Sequence, residues 1–120
     1  MTGIGLGKKT IFVKLKGGIK AVDIHKISHF EVNDDYTHIH FRTAEEENEV
    51  LVLLMPLIRV EQILEDDSNF MRIHRKYIVN LNFVDQIVGY QLNMKFFESD
   101  IALPIAKGRW KLIKSRLLNA

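Results

Sequence analysis

Period-two alternation, cut at short intervals by turn-forming residues, is the feature that most limits how this chain folds. Ile11, Val13 and Leu15 point one way and Phe12, Lys14 and Lys16 the other, which is strand periodicity. Gly17-Gly18 then offers a two-residue hairpin turn, because glycine accepts positive φ. Ile19 to Ile24 reads as the return strand and Ile27 to Val32 as the next one. Asn33-Asp34-Asp35 is a run of turn formers, after which Tyr36 to Arg42 alternates again. Tyr36, His38, His40 and Arg42 share one face; Thr37, Ile39 and Phe41 share the other. With 120 residues there is room for one domain. No cysteine is present, so a disulfide scaffold, thiolate metal sites and cysteine catalysis are excluded. A mainly β fold held by its own hydrophobic core is what remains.

Two helices interrupt the strands. Pro56 suits a first helical turn, and Leu57, Val60 and Leu64 follow on one stripe widened by Ile58 and Ile63. Glu65 to Asn69 ends it. Near the C-terminus Ala106, Trp110, Ile113 and Leu117 lie on one face of a terminal helix. Val50 to Met55, an unbroken apolar run after the acidic stretch Ala44 to Glu49, predicts a strand buried on both faces. Gln91 to Glu98 reads as a strand, Ser99-Asp100 as a tight turn, and Ile101 to Leu103 as a short strand broken at Pro104. Residues 1–9, with glycines at 3, 5 and 7, read as a flexible arm or linker remnant, leaving 10–120 as the domain. The longest apolar run is far short of a membrane span, and no apolar leader opens the chain. A soluble, cytoplasmic domain is the expectation.

Charge is unevenly distributed. Residues 1–69 carry 8 Lys/Arg against 12 Asp/Glu, whereas residues 70–120 carry 9 against 3. Such polarity points to an anionic partner facing the C-terminal half. Enzyme signatures are missing: there is no Walker loop, no Gly-x-Ser-x-Gly and no His-Glu-x-x-His. Gly3-x-Gly5-x-Gly7 precedes a strand, whereas a dinucleotide loop follows one. His38 and His40 share a strand face and could chelate a metal, but spacing gives no third ligand. A metal-dependent hydrolase built on them is the enzyme alternative. The expectation is no enzyme, no metal and no cofactor. Basic residues cluster at Arg72, Arg75, Lys76 and again at Lys107, Arg109, Lys111, Lys114, Arg116. Lys111, Lys114 and Arg116 read as charges snorkelling from an amphipathic helix. Arg75-Lys76, beside His74, is harder to explain that way. Lysine and arginine suit phosphates, and arginine suits base edges, so nucleic acid leads as partner. A protein-interaction or ligand-sensing β module is the alternative among binding domains.

The run Phe70-Met71-Arg72-Ile73-His74-Arg75-Lys76-Tyr77-Ile78-Val79-Asn80 closely resembles the hallmark of the LytTR DNA-binding domain, the effector domain of LytR/AgrA/AlgR-type response regulators. Phe12-Val13-Lys14 with Gly17-Gly18 is similar to that family's opening hairpin, and Ile27 to Glu31 with Asp34-Asp35-Tyr36-Thr37 to its second strand pair. Leu54 to Leu64 resembles its long helix, and Leu103-Pro104-Ile105 with Lys107 its closing strand and loop.

The resemblance implies an elongated antiparallel β-sheet sandwich with one mid-chain helix and a C-terminal helix. It also implies double-stranded DNA as partner, with loops entering successive major grooves. The implied contact residues are Tyr36, Thr37 and His38 in the first loop, His74, Arg75 and Lys76 in the second, and Lys107 and Arg109 in the third. Lys76 stands where many relatives have a small hydroxyl residue, and Ala106-Lys107-Gly108 where Ser-Arg is common, so base preference is not carried over. The family's receiver domain has no room in these residues. The expected assembly is a monomer in solution, with a second copy joining on repeated DNA sites, in a bacterial transcription regulator that uses no membrane.

Overall fold

The computed structural model describes residues 4–6, 10–67, 69–96 and 99–118. Strands run β1 (Ile4–Leu6), β2 (Thr10–Leu15), β3 (Gly18–Asp23), β4 (Ile27–Asn33), β5 (Tyr36–Arg42) and β6 (Asn48–Leu54). Helix α1 (Leu57–Ile63) follows, then β7 (Phe70–His74), β8 (Tyr77–Asn80), β9 (Val84–Val88), β10 (Gln91–Phe96), β11 (Ser99–Pro104) and α2 (Trp110–Leu118). Among the described residues every strand pairing is antiparallel. The order is β1-β2-β3 in one sheet, β11-β10-β9 in another, and β6-β5-β4-β8-β7 in a five-stranded sheet between them. The molecule measures 43 × 30 × 28 Å, so it is elongated as expected.

Two cores explain the layering. Ile11, Val13 and Val22 from the first sheet, with Leu57, Val60 and Leu64 from α1 and its following turn, pack on Phe30, Ile39, Phe41 and Ile78 of the five-stranded sheet. Its opposite face carries Met71, Ile73 and Val79 against Leu92, Met94, Leu103 and Ile113. Ile78 and Val79 are adjacent on β8 and serve opposite cores, as strand alternation requires. The five-stranded sheet is therefore the middle layer of a sandwich.

Several expectations change. The apolar run Val50 to Met55 is not buried on both faces: β6 ends the sheet and pairs with β5 alone. Leu51 and Leu53 pack inward, while Val50, Val52 and Leu54 are 47%, 51% and 70% exposed. The second core stops short of this edge and leaves Val50, Val52 and Leu54 as an open apolar row. Helix α1 is shorter than the Leu54 to Leu64 match implies, because Leu54 completes β6 and the extended Pro56 caps the helix. The first hairpin turns at Lys16-Gly17, with Gly17 at φ 85 and Gly18 already paired to Leu15. Ser99 and Asp100 pair with Phe96 and Lys95 inside β11 instead of forming the turn. Ile4–Leu6 pair with Ile11–Val13, so the arm expected over residues 1–9 does not include them; residues 1–3 and 7–9 lie outside the described residues.

The two classes of apolar residue should respond differently to truncation. Phe30→Ala, at a fully buried site, is expected to cost about 3–5 kcal/mol of folding stability. Val52→Thr, at the open edge, should stay within about 0.5 kcal/mol. Urea unfolding of both variants checks this, and a large loss for Val52→Thr would mean the edge is covered.

Candidate nucleic-acid interface

Strand order brings three connections to one end of the middle sheet. The β4–β5 turn is Asp34-Asp35, with Asp34 at φ 54 and Asn33 paired to Tyr36. The β7–β8 turn is Arg75-Lys76, closed by the pair His74 and Tyr77. Because β8 lies between β4 and β7, these turns are neighbours, and the Val32 N–H donates to the Lys76 carbonyl at 3.0 Å. The third connection, between β11 and α2, is hung on β7 by the Ala106 N–H donating to the Ile73 carbonyl at 2.9 Å. The Ile105 N–H donates to the Tyr90 carbonyl at 2.8 Å, and residues 107–109 form a short 3-10 turn before α2.

Arg72 stiffens the central turn from behind. Its Nε donates to the His74 carbonyl at 3.3 Å and its Nη2 to the Arg75 carbonyl at 2.8 Å. The Lys76 N–H donates to His74 Nδ1 at 3.1 Å. Burial, then the charges of Arg75, Lys76 and Arg72, push His74 below the usual histidine pKa. The ring is thus held neutral with Nδ1 as acceptor, which leaves its Nε2–H as a donor. Arg75 itself is exposed and Lys76 half-buried. Lys107 is exposed, with Nζ 5.9 Å from the Tyr90 ring centroid, and that ring meets Trp110 edge-on at 6.1 Å.

The structure brings Tyr36, His74, Arg75, Lys76, Lys107 and Arg109 to one end of the middle sheet, and sets two implied contacts, Thr37 and His38, apart from them. Thr37 is fully buried, and its hydroxyl donates to the Met55 carbonyl. It ties β5 to the segment entering α1, and its side chain is turned into the core and not toward the basic turns. Tyr36 is exposed beside the turn, and His38 is half-buried further along β5, opposite Glu31 and Val52. Arg109 is partly committed elsewhere: its Nη1 donates to the Arg72 carbonyl at 3.4 Å and lies 4.0 Å from Glu61. Glu61 also pairs with Arg72 at 3.0 Å. Spacing alone does not single out Glu61 or Tyr90. The contacts that give them roles join residues far apart in the chain.

His38 and His40 do share a face, with ring centroids 6.5 Å apart. His40 instead stacks on His29 at 4.1 Å and meets Glu31 through Nε2 at 3.1 Å. His29 Nδ1 lies 2.7 Å from the Ser28 hydroxyl. Among the described residues no group of three or more His, Asp or Glu is placed to hold a metal ion. No described helix is long and apolar enough to cross a membrane.

The family model of the LytTr DNA-binding domain matches residues 17–118. Among solved structures, the chain is similar to the LytTr DNA-binding domain of a putative methyl-accepting/DNA response regulator from Bacillus cereus. That likeness has 21% identity and a TM-score of 0.66, and covers 93% of this chain and 99% of the other. No curated protein matches the chain. The mainly β sandwich with its two helices is therefore a known fold.

The histidine stack makes stability depend on pH. Burial, helped by the neighbouring His40, lowers the His29 pKa from 6.5 to about 3. Above pH 6.5 both folded and unfolded chains hold His29 neutral and its contribution is intact. As pH falls from 6.5 towards 3 the unfolded chain takes up a proton that the folded chain refuses, and stability drops. At pH 5 the loss is expected to be about 2 kcal/mol. Urea midpoints at pH 7 and pH 5 measure it. Equal midpoints, or an undiminished drop in His29→Phe, would exclude His29 as the cause.

Proposed function

The chain belongs to the LytTR family of DNA-binding domains, and from that premise we propose that it reads double-stranded DNA through its turns. The Arg75-Lys76 turn and the 106–109 connection enter major grooves, and the domain acts as the effector of a bacterial two-component transcription regulator, in the cytoplasm. It performs no chemistry of its own. The observation that carries this reading is the convergence of two basic connections on β7: the Arg75-Lys76 turn, closed by the His74–Tyr77 pair, and the Ala106 N–H bonded to the Ile73 carbonyl at 2.9 Å.

Roles follow from chemistry. Arg75 is an exposed guanidinium on a braced turn, suited to two hydrogen bonds with one guanine edge. Neutral His74 supplies a single N–H donor beside it. Lys76 and Lys107 are flexible point charges suited to phosphates. Tyr36 adds a hydroxyl at the margin. Asp34 and Asp35 border the same end and repel a phosphate chain, which favours an approach centred on Arg75 and Lys107. Two copies on repeated sites would each use this surface, with the upstream signal arriving from a receiver domain.

If about 5–7 phosphates are neutralised, log K should fall with log salt at a slope of about 0.9 per phosphate. A flat response would remove DNA as the partner. Arg75→Ala is expected to lose about 1–3 kcal/mol on a selected site and much less on a scrambled one. Lys76→Ala should weaken both alike, and Lys111→Ala, on the exposed side of α2, should change neither appreciably. Equal losses on both duplexes for Arg75→Ala would make it a phosphate clamp.

A further inference from the structure

We infer that Glu61, an acidic residue on α1, is a positioning residue for sequence reading: it locks the two basic connections to each other, so that removing a negative charge weakens specific DNA binding. The inference rests on the reading that those connections hold the DNA.

Glu61 uses both carboxylate oxygens, Oε1 at 3.0 Å from Arg72 Nη1 and Oε2 at 4.0 Å from Arg109 Nη1. One partner belongs to the β7–β8 hairpin and the other to the connection into α2. Arg72 is already bound to the carbonyls of His74 and Arg75, and Arg109 donates to the Arg72 carbonyl at 3.4 Å. The chain of contacts therefore runs from Arg75 through Arg72 and Glu61 to Arg109, two residues from Lys107. The Arg72 side chain is only 14% exposed. A guanidinium that far from water requires a counter-charge as well as acceptors. Glu61 supplies it and at the same time keeps Arg72 from turning outward to a phosphate.

Simple electrostatics predicts the opposite sign. A carboxylate near a DNA surface repels the backbone, and its loss should tighten binding to any sequence. Positioning works through geometry: base contacts need their donors fixed, whereas phosphate contacts tolerate displacement. Loss of Glu61 should then cost affinity for the cognate site alone. Glu65 provides the comparison. It lines the same cavity between α1, β7 and α2, yet among the described residues no ion pair joins it to either arginine.

The test measures Glu61→Ala, Glu65→Ala, Arg72→Ala and the Glu61→Ala/Arg72→Ala double variant on a selected duplex and a scrambled one at one fixed salt, with melting curves. Alanine suits a helix interior, so α1 should persist; if Glu61→Ala does not fold, Glu61→Gln carries the same test. The selected-to-scrambled affinity ratio should fall about tenfold for Glu61→Ala, with scrambled binding unchanged or tighter. Arg72→Ala should lose a similar ratio, and the double variant no more than the larger single loss. Glu65→Ala should leave the ratio intact. If Glu61→Ala tightens both duplexes alike, or weakens both alike, the inference falls while the DNA-reading turns stand. If Arg75→Ala and Lys107→Ala, run alongside, leave both duplexes bound as before, the interface reading falls and this inference with it.

Discussion

The pairing of β8 with β4 is the contact on which the rest depends. It joins His29 to Val79, Phe30 to Ile78 and Glu31 to Tyr77, residues far apart in the chain. On one side of it lie β5 and β6; on the other lies β7. Without it the two cores would belong to separate halves, each with an open sheet edge. The same pairing sets the end proposed to meet DNA, because it continues beyond the ladder into the bond from the Val32 N–H to the Lys76 carbonyl. A slip of one residue would turn Ile78 out of one core and Val79 out of the other. Burial on both faces therefore fixes the register, and the register fixes where Arg75 stands.

Charge is arranged around that pairing to favour geometry over bulk attraction. The net charge of the chain is only +2, and Asp34, Asp35 and Glu61 stand close to the basic turns. A surface built to bind any polyanion would omit these acids. Here Glu61 is paired with two arginines at the root of the loops, and the exposed cations are left at the tips. His74 continues the pattern: burial and then three nearby cations push its pKa down, and its Nδ1 accepts the Lys76 N–H.

Most of the fold was legible in alternation, because a half-buried strand writes its two faces into the sequence. Tyr36 to Arg42 matches its burial at every position. That pattern also held a signal about Thr37, which it grouped with Ile39 and Phe41 on the core face, and the side chain is indeed buried there, whereas the family resemblance implied a contact role. The run at Val50 to Met55 was misleading for a different reason. Apolar content reveals that a strand is hydrophobic, but being central or at an edge is a property of its neighbours, which no local window contains. The Glu61–Arg72 pair was hidden likewise. Its members are ordinary helix and strand residues until β7 is laid beside α1.

The position of α2 commits its apolar face to the scaffold, and this favours the proposal that turns, and not a helix, meet the partner. Ile113 is fully buried and Trp110 and Leu117 are packed against the second core, so the apolar stripe of α2 is spent on the scaffold. Arg116 reaches back to the Phe70 carbonyl at 3.4 Å, leaving Lys111 and Lys114 exposed along its outer side. A reading helix needs several donors fixed along one face, and two unbraced lysines do not provide that. The hairpin end does. Its backbone is bonded to β4 on one side, its carbonyls are held by Arg72, and the neighbouring connection is tied to β7. In the proposed interface, recognition would therefore fall on a small number of braced groups, with Arg75 foremost.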